Sequence, residues 1–570
     1  MADVLVLYPP FTQPTIVYPG HYVVGSALST SGYCTDVVDA NVRFFEYLEG
    51  LIADPQRTPA GTLLRLEMDR VQGLQRVLSN RRSFQSLGEG FFNRSRSKHT
   101  YYDHSTYSSM TKALNEALWL FGRVCGYKNL HIDNFETDAN LDEVDSFLVF
   151  LSSLSRSPLA EYYQQLIDSL DFEPEGVVCI SAAFRTQLIP ALLLGRLVRE
   201  QRPDQLIILG GAAVTCLRSE KELFPQFFNQ FDLVCFGQNL EPVLRFVQQW
   251  FAGSVVQGPT SRDYVLCSNR TRTSVAERRT FRAEGSWINS LAHYITRNIT
   301  GTKFCDPAPV IPLPAARGCY WNKCTFCFEY GNDSRGLISS AGDVVQAMED
   351  CLSAGYFRFF IGEGAVPPQL AREVGDLIRK KSLPVEWYGF FRLEKNMTSE
   401  VVDAMSGAGG ARLALFGLES GSQKIQNDMK KGVLIDRASA ILRQSADAGL
   451  WNHVLLMYGY PTETRADADE TYEYLQRHKG SIHSVASAVF TLDKASKLYI
   501  DGSAAAYGYQ LSDRNRTGID YFVRTQQRTE HDPYEYRAKT LRYGYENLRM
   551  KRISSLMHGH ELWFHRAITA

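Results

Sequence analysis

Short apolar runs alternating with helical stretches constrain this chain more than any other feature. From residue 174, EGVVCIS reads as a buried strand, LIPALLLGRLVREQ as a helix, and DQLIILGG and FDLVCFG as further strands. Strands that are apolar throughout are buried on both faces, and strands separated by helices pair in parallel. The pattern predicts a doubly wound, Rossmann-like α/β domain over residues 1–255, opened by DVLVLYPP and interrupted by a polar, arginine-rich helical insertion at about 50–170. Ligands of such domains sit beyond the C-terminal strand ends, where glycine lets the backbone come close. Gly210 and Gly211 after LIIL, Gly237 after LVCF, and Thr186 and Gln187 after CISAAFR fall there. There is no G-x-G-x-x-G, so NAD is not indicated, and tight strand-to-helix turns explain the glycines equally well.

Composition shifts at 256–310, where arginine-rich SNRTRTSVAERRT leads to DPAPVIPLP, and this reads as a linker. Alternation then resumes over 311–490, with YFRFFIG, VEWYGFFR, ARLALFGLES, HVLLMYGYP and HSVASAVFTL as strands and QLAREVGDLIRKK as one of the helices between them. Repeated units of this kind predict a partial or full (β/α) barrel. The remaining residues, 491–570, rich in Tyr, Arg and His, read as a small helical domain capping the barrel mouth. His558 and His560 there lack any carboxylate at ligand spacing, so they read as solvated or core-lining side chains.

Lys and Arg number 61 against 62 acidic residues, so no overall field favours nucleic acid or an anionic membrane. No run of eighteen apolar residues occurs, and MADVLVLYPP has no basic segment ahead of an apolar one, so neither a membrane span nor a secretory signal is expected and the chain reads as cytoplasmic. Eleven cysteines in such a compartment argue against a disulfide framework. Cys179 and Cys235 lie in strand-like runs and read as small packing hydrophobes; Cys34, Cys125, Cys216, Cys267, Cys305 and Cys351 have no close partner and read the same way.

Cys319, Cys324 and Cys327 are different, because RGCYWNKCTFC places three thiols within nine residues. A structural zinc wants four ligands, yet no histidine lies between His293 and His453, so zinc would have to recruit a distant residue. An iron–sulfur cluster held by three cysteines leaves one iron open to a chelating molecule, which makes a reaction centre. The loop also follows the first strand of the predicted barrel, at the end where barrels place their chemistry. A cluster is the favoured reading; zinc and chance proximity are the alternatives.

RGCYWNKCTFC resembles the cluster loop of the radical S-adenosylmethionine enzymes. GEG at 362–364 resembles that family's acidic turn after the second strand, while WYGFFRLE, LFGLESGSQKIQNDMKKG and MYGYPTET resemble successive strand ends of its cobalamin-binding, methyltransferase-type branch. VLYPPFTQPT, LIPALLLGRLV and ILGG are similar to the N-terminal cobalamin-binding-type domain of the same branch. Two departures stand out. Cys319 to Cys324 spans x4 where the family has x3, which asks for a one-residue bulge, and the D-x-H-x-x-G motif that supplies a lower axial histidine is absent. His21 lacks the preceding aspartate, so the resemblance leaves water or a side chain such as Arg185 to face the cobalt.

The resemblance implies a 4Fe–4S cluster on Cys319, Cys324 and Cys327, with S-adenosylmethionine on its open iron and cobalamin on the first domain. By motif position Glu363 would hold the methionine amino group, and Arg392 and Glu419 the carboxylate or ribose. The activity implied is C-methylation of an unactivated carbon, the methyl group delivered through methylcobalamin, on a natural-product or peptide substrate. A non-methylating cyclisation or rearrangement is the alternative within the branch, and a catalytically silent scaffold the alternative outside it. An external electron donor such as flavodoxin or ferredoxin is also implied, with no nucleic-acid or membrane partner.

Overall fold

The computed structural model describes residues 1–14, 16–72, 103–132, 134–141, 143–218, 228–254, 264–267, 286–299, 308–330, 337–507, 522–523 and 530–550. Two six-stranded sheets organise them. The first runs β1 (Ala2–Tyr8), β2 (Thr35–Asp39), β3 (Phe172–Ser181), β4 (Leu206–Gly210), β5 (Leu233–Cys235) and β6 (Tyr264–Leu266) in the spatial order 2-1-3-4-5-6. All its pairs are parallel except β5 with the edge strand β6. This order reverses direction between β1 and β3, and at such a switch point a crevice opens beyond the strand ends.

Burial follows the apolar runs. Val177 to Ile180 of β3 are at most 4% exposed, as the doubly covered strand demands. The helix Arg185–Gln201 lays Leu188, Ile189, Leu192 and Leu193 against the sheet, each such side chain contributing about 2 kcal/mol. Cys179 pairs in register with Val6 and Ile208 and packs among apolar neighbours, with Cys235 in the same cluster. The insertion supplies the helices Pro59–Gln72, His104–Val124, Val144–Ser153 and Pro158–Asp168, whose apolar faces join one core with β1 and β3.

The second sheet runs β7 (Val310–Pro312), β8 (Arg358–Ala365), β9 (Glu386–Arg392), β10 (Ala411–Glu419), β11 (Trp451–Tyr458) and β12 (Ser484–Val489) in sequential order, every pair parallel. Among the described residues β7 and β12 do not pair, so the sheet is an open, partial barrel. The helix Pro533–Asn547 covers its β12 edge, with Thr540 Oγ1 2.8 Å from Tyr458 Oη and Arg537 Nε donating to the Ser487 carbonyl at 3.1 Å. His558 and His560 lie outside the described residues.

The stretch expected as a linker needs correction. Within 256–310 lie β6, which completes the first sheet, and the helix Trp287–Ile299. That helix packs on Val23 and Tyr22 of the helix Pro19–Thr30 and on the barrel core, and Tyr294 Oη donates to the Thr35 carbonyl at 2.9 Å. A three-residue strand between arginine-rich flanks has no period to betray it. Among the described residues no helix is long and apolar enough to cross a membrane.

Candidate active site

The thiol loop leaves β7 and is shaped by two residues with positive φ, Gly318 at +73° and Asn322 at +45°. Asn322 sits inside the x4 segment, where its left-handed turn takes up the extra residue. A Cβ on Gly364, in the GEG stretch of β8, would lie 2.5 Å from the Gly318 carbonyl oxygen, so only glycine lets β8 back the loop this closely. β8 bulges between Phe360 and Ala365 against β9. Glu363 belongs to that bulge, and its side chain lies outside the described residues.

Cys324 is buried, and Cys319 and Cys327 are half-buried. Burial pushes the Cys324 thiol up, opposed by the Lys431 and Arg392 cations; burial also pushes up Cys327. Cys319 acts electrostatically on Cys324 and Cys324 on Cys327. Among the described residues no three His, Cys, Asp or Glu side chains close on a single-ion site.

Two buried cations flank Cys324. Arg392 ends β9 and is 5% exposed; its Nε is 3.1 Å from Glu394 Oε2, its Nη1 4.0 Å from Cys324 Sγ, and its Nη2 donates to the Lys431 carbonyl. Lys431 Nζ lies 3.0 Å from Glu419 Oε1. Burial alone would lower the Lys431 ammonium, but Glu419 and Cys324 outweigh it and hold it above its ordinary value. Glu419 ends β10 at φ +67°, a left-handed conformation that costs a non-glycine residue about 1–2 kcal/mol. Strain of this kind persists where its surroundings over-determine it, as at a site.

The switch point of the first sheet is built from the other expected residues. Thr186 Oγ1 donates to the Phe11 carbonyl at 2.7 Å and Gln187 Nε2 to the Pro9 carbonyl at 2.5 Å, while Gln187 Oε1 accepts from the N–H groups of Ala183 and Phe184. Both side chains are buried, and their polar atoms tie the β1 loop to the β3 loop instead of pointing at a ligand. Arg185 opens the following helix with its guanidinium 4.5 Å from the Phe135 ring centroid and Nη1 3.3 Å from Asn134 Oδ1. Gly237, at φ +75°, donates its N–H to Thr215 Oγ1 at 2.8 Å.

Gly211 is the tightest position, with φ +115° and space for a Cβ only 2.1 Å from the Ala182 carbonyl oxygen, whereas a Cβ on Gly210 would meet nothing nearer than 3.7 Å. Gly211→Ala is therefore expected to cost at least about 3 kcal/mol and Gly210→Ala less than about 1 kcal/mol. Paired thermal melts check this, and equal losses would remove the steric argument.

Beside these ties sit polar atoms without partners. His21 is wholly buried, stacked on Tyr8 at 4.4 Å, and both its ring nitrogens lack a hydrogen bond among the described residues, as does Asp39 Oδ2 at the end of β2. Burial pushes the His21 imidazole down to about 3 and the Asp39 carboxyl up to about 7. Asp493, beyond β12, acts electrostatically on Cys216, beyond β4. Asp493 itself is raised by burial to about 6.

Residues 313–475 match the Radical SAM superfamily. The chain carries a radical SAM domain. An uncharacterized methyltransferase of Pyrococcus horikoshii is 24% identical over 182 residues, which span 30% of this chain and 38% of that relative. The radical S-adenosylmethionine methyltransferase TsrM from Kitasatospora setae, solved with cobalamin and a 4Fe–4S cluster bound, superposes with a TM-score of 0.50 at 12% identity, covering 90% of this chain and 80% of that one. The cobalamin-dependent S-adenosylmethionine radical enzyme OxsB, with aqua-cobalamin and S-adenosylmethionine bound, gives 0.47 at 13% identity over 68% and 60% of the two chains.

At such identities the likeness to TsrM is one of fold, and it spans both sheets. The fold class is accordingly a Rossmann-like domain followed by a radical SAM partial barrel. Within the radical SAM domain, Lys431 and Trp321 escaped the sequence reading. Lys431 sits in MKKG directly before Gly432, and a cation next to a left-handed glycine at a helix exit was its only signal.

Proposed function

We propose that this chain is a cobalamin-dependent radical S-adenosylmethionine methyltransferase acting on an unactivated carbon of a natural-product or peptide substrate. The observation that carries the reading is a three-thiol loop, backed by Gly364 and flanked by Arg392 and Lys431, in one chain with a doubly wound sheet whose strand order reverses at a switch point. Cys319, Cys324 and Cys327 would hold the cluster, and Glu363, Arg392 and Glu419 would position S-adenosylmethionine. The orphaned polar atoms of His21 and Asp39 fit a group bringing its own donors and acceptors, as a corrinoid does. Bound there, the cofactors supply a one-electron cleavage and a methyl carrier.

The protein's own part is placement. Thr186 and Gln187 fix the rim of the crevice, Gly211 lets the chain pass close against Ala182, Gly210 and Gly237 would let a ligand approach the backbone, and Arg185 would stand at its mouth. Positive charge from Arg392 and Lys431 opposes the effect of burial on the Cys324 thiol and would offset part of the cost of a metal-bound thiolate there. Anaerobic reconstitution followed by iron and cobalt quantification tests the cofactors, with about four irons expected and an equimolar corrinoid. Labelled methyl transfer from S-adenosylmethionine then tests the activity; iron without retained corrinoid would sink the methyltransferase reading.

A further inference from the structure

On the outer side of the thiol loop lies a depression of about 550 Å³ whose lining includes Trp321, Asn322, Lys323, Asn427, Lys430 and Lys497. Its cations are unequally compensated. Lys497 Nζ lies 3.3 Å from Asp501 Oδ2, and the neighbouring Lys424 is tied to Asp428 at 3.5 Å and Asp467 at 3.3 Å. Lys323 and Lys430 are exposed and make no ion pair among the described residues. Lys430 is also held at φ +51°, a conformation lysine adopts only under strain. The whole chain has a formal charge of −1, so attraction for an acidic partner has to be local.

Trp321 forms the wall between this depression and the thiols. Its Nε1 donates to the Lys430 carbonyl at 2.9 Å, Lys323 Nζ lies 4.7 Å from its ring centroid, and the Arg392 guanidinium 4.2 Å. Arg392 Nη1 is in turn 4.0 Å from Cys324 Sγ. A Cβ on Gly432 would fall 2.4 Å from the indole, so the ring is wedged in one place. The depression therefore communicates with a thiol ligand through an aromatic ring and a guanidinium in contact.

We propose that this depression is the docking site of an acidic one-electron donor protein of the flavodoxin or ferredoxin kind, with Trp321 on the route to Cys324. The proposal rests on Cys319, Cys324 and Cys327 holding an iron–sulfur cluster. In the step the donor loses one electron and the cluster gains it; no bond forms or breaks. Apposed opposite charges raise association rates steeply and in a salt-dependent way.

The test compares reconstituted wild type with the Lys323→Glu/Lys430→Glu double variant, following cluster bleaching by stopped flow with flavodoxin hydroquinone and, separately, with dithionite. At low ionic strength the flavodoxin-driven rate is expected to fall about tenfold or more. The gap should close at about 0.5 M salt, and the dithionite rate should stay within about twofold, since a small reductant needs no steering. An unchanged flavodoxin rate overturns the proposal, and so does an equal loss with both reductants. Wild-type protein without dithionite-reducible iron would instead sink the cluster reading, and this proposal with it, before any variant is compared.

Discussion

Cys324→Ala is expected to leave a folded protein that no longer holds its cluster: iron should fall well below about four per chain, and S-adenosylmethionine cleavage by about a thousandfold or more. The fold should survive because the radical SAM domain rests on a large core in which β8, β9, β10 and β11 are each buried, and losing one buried sulfur costs about 1–2 kcal/mol. Cys351 supplies the matched control. It is wholly buried in the helix Ala341–Ser353, and burial raises its thiol to about 12. Cys351→Ala should cost similar stability and no iron. If the two variants lose iron equally, or if Cys324→Ala keeps its full complement, the thiol loop is not the metal centre. Iron assay and a circular-dichroism melt on the same samples separate ligand loss from unfolding.

What sequence could reveal divides by range. The parallel sheets were legible because EGVVCIS and DQLIILGG are local apolar runs, and the thiol loop because its three cysteines lie within one loop. The contacts that define the site were not, since each joins segments far apart: Trp321 meets Lys430 and Arg392 meets Cys324 only once β7 to β10 are assembled into one sheet. Local sequence sets Thr186 and Gln187 beyond the end of β3, among the residues expected to meet a ligand, and nothing local shows that the Pro9 and Phe11 carbonyls stand opposite them. The Glu419 carboxylate likewise sits in a strand-end motif, while its pairing with Lys431 depends on how the chain returns after the helix Gln423–Asp428. β6 was missed because three residues carry too little pattern to outweigh arginine-rich flanks.

The first domain should show two opposed pH dependences that variants pull apart. Asp39 Oδ1 caps the helix Ala40–Ala53 by accepting from the Val42 N–H at 2.9 Å, and Oδ2 has no hydrogen-bond partner among the described residues; burial raises the carboxyl from 3.8 to about 7. The folded state then keeps a proton that the unfolded chain releases. That contribution is complete below about pH 3.8 and is lost as pH rises to about 7. His21 has the opposite sign. Its imidazole is lowered from 6.5 to about 3, so its contribution is complete above about pH 6.5 and is lost as pH falls to about 3. Between about pH 4 and 6.5 the two slopes cancel in the wild type, each being about 1.4 kcal/mol per pH unit. Asp39→Asn keeps the cap and removes one slope, so its stability relative to wild type should rise with pH across that window by roughly 2–4 kcal/mol. His21→Phe keeps the stack on Tyr8 and removes the other, so its relative stability should fall by a similar amount. Denaturant melts at several pH values measure both differences. Parallel wild-type and variant curves would mean that water reaches these groups, and the crevice would then be an open, hydrated surface instead of a dry seat for a corrinoid.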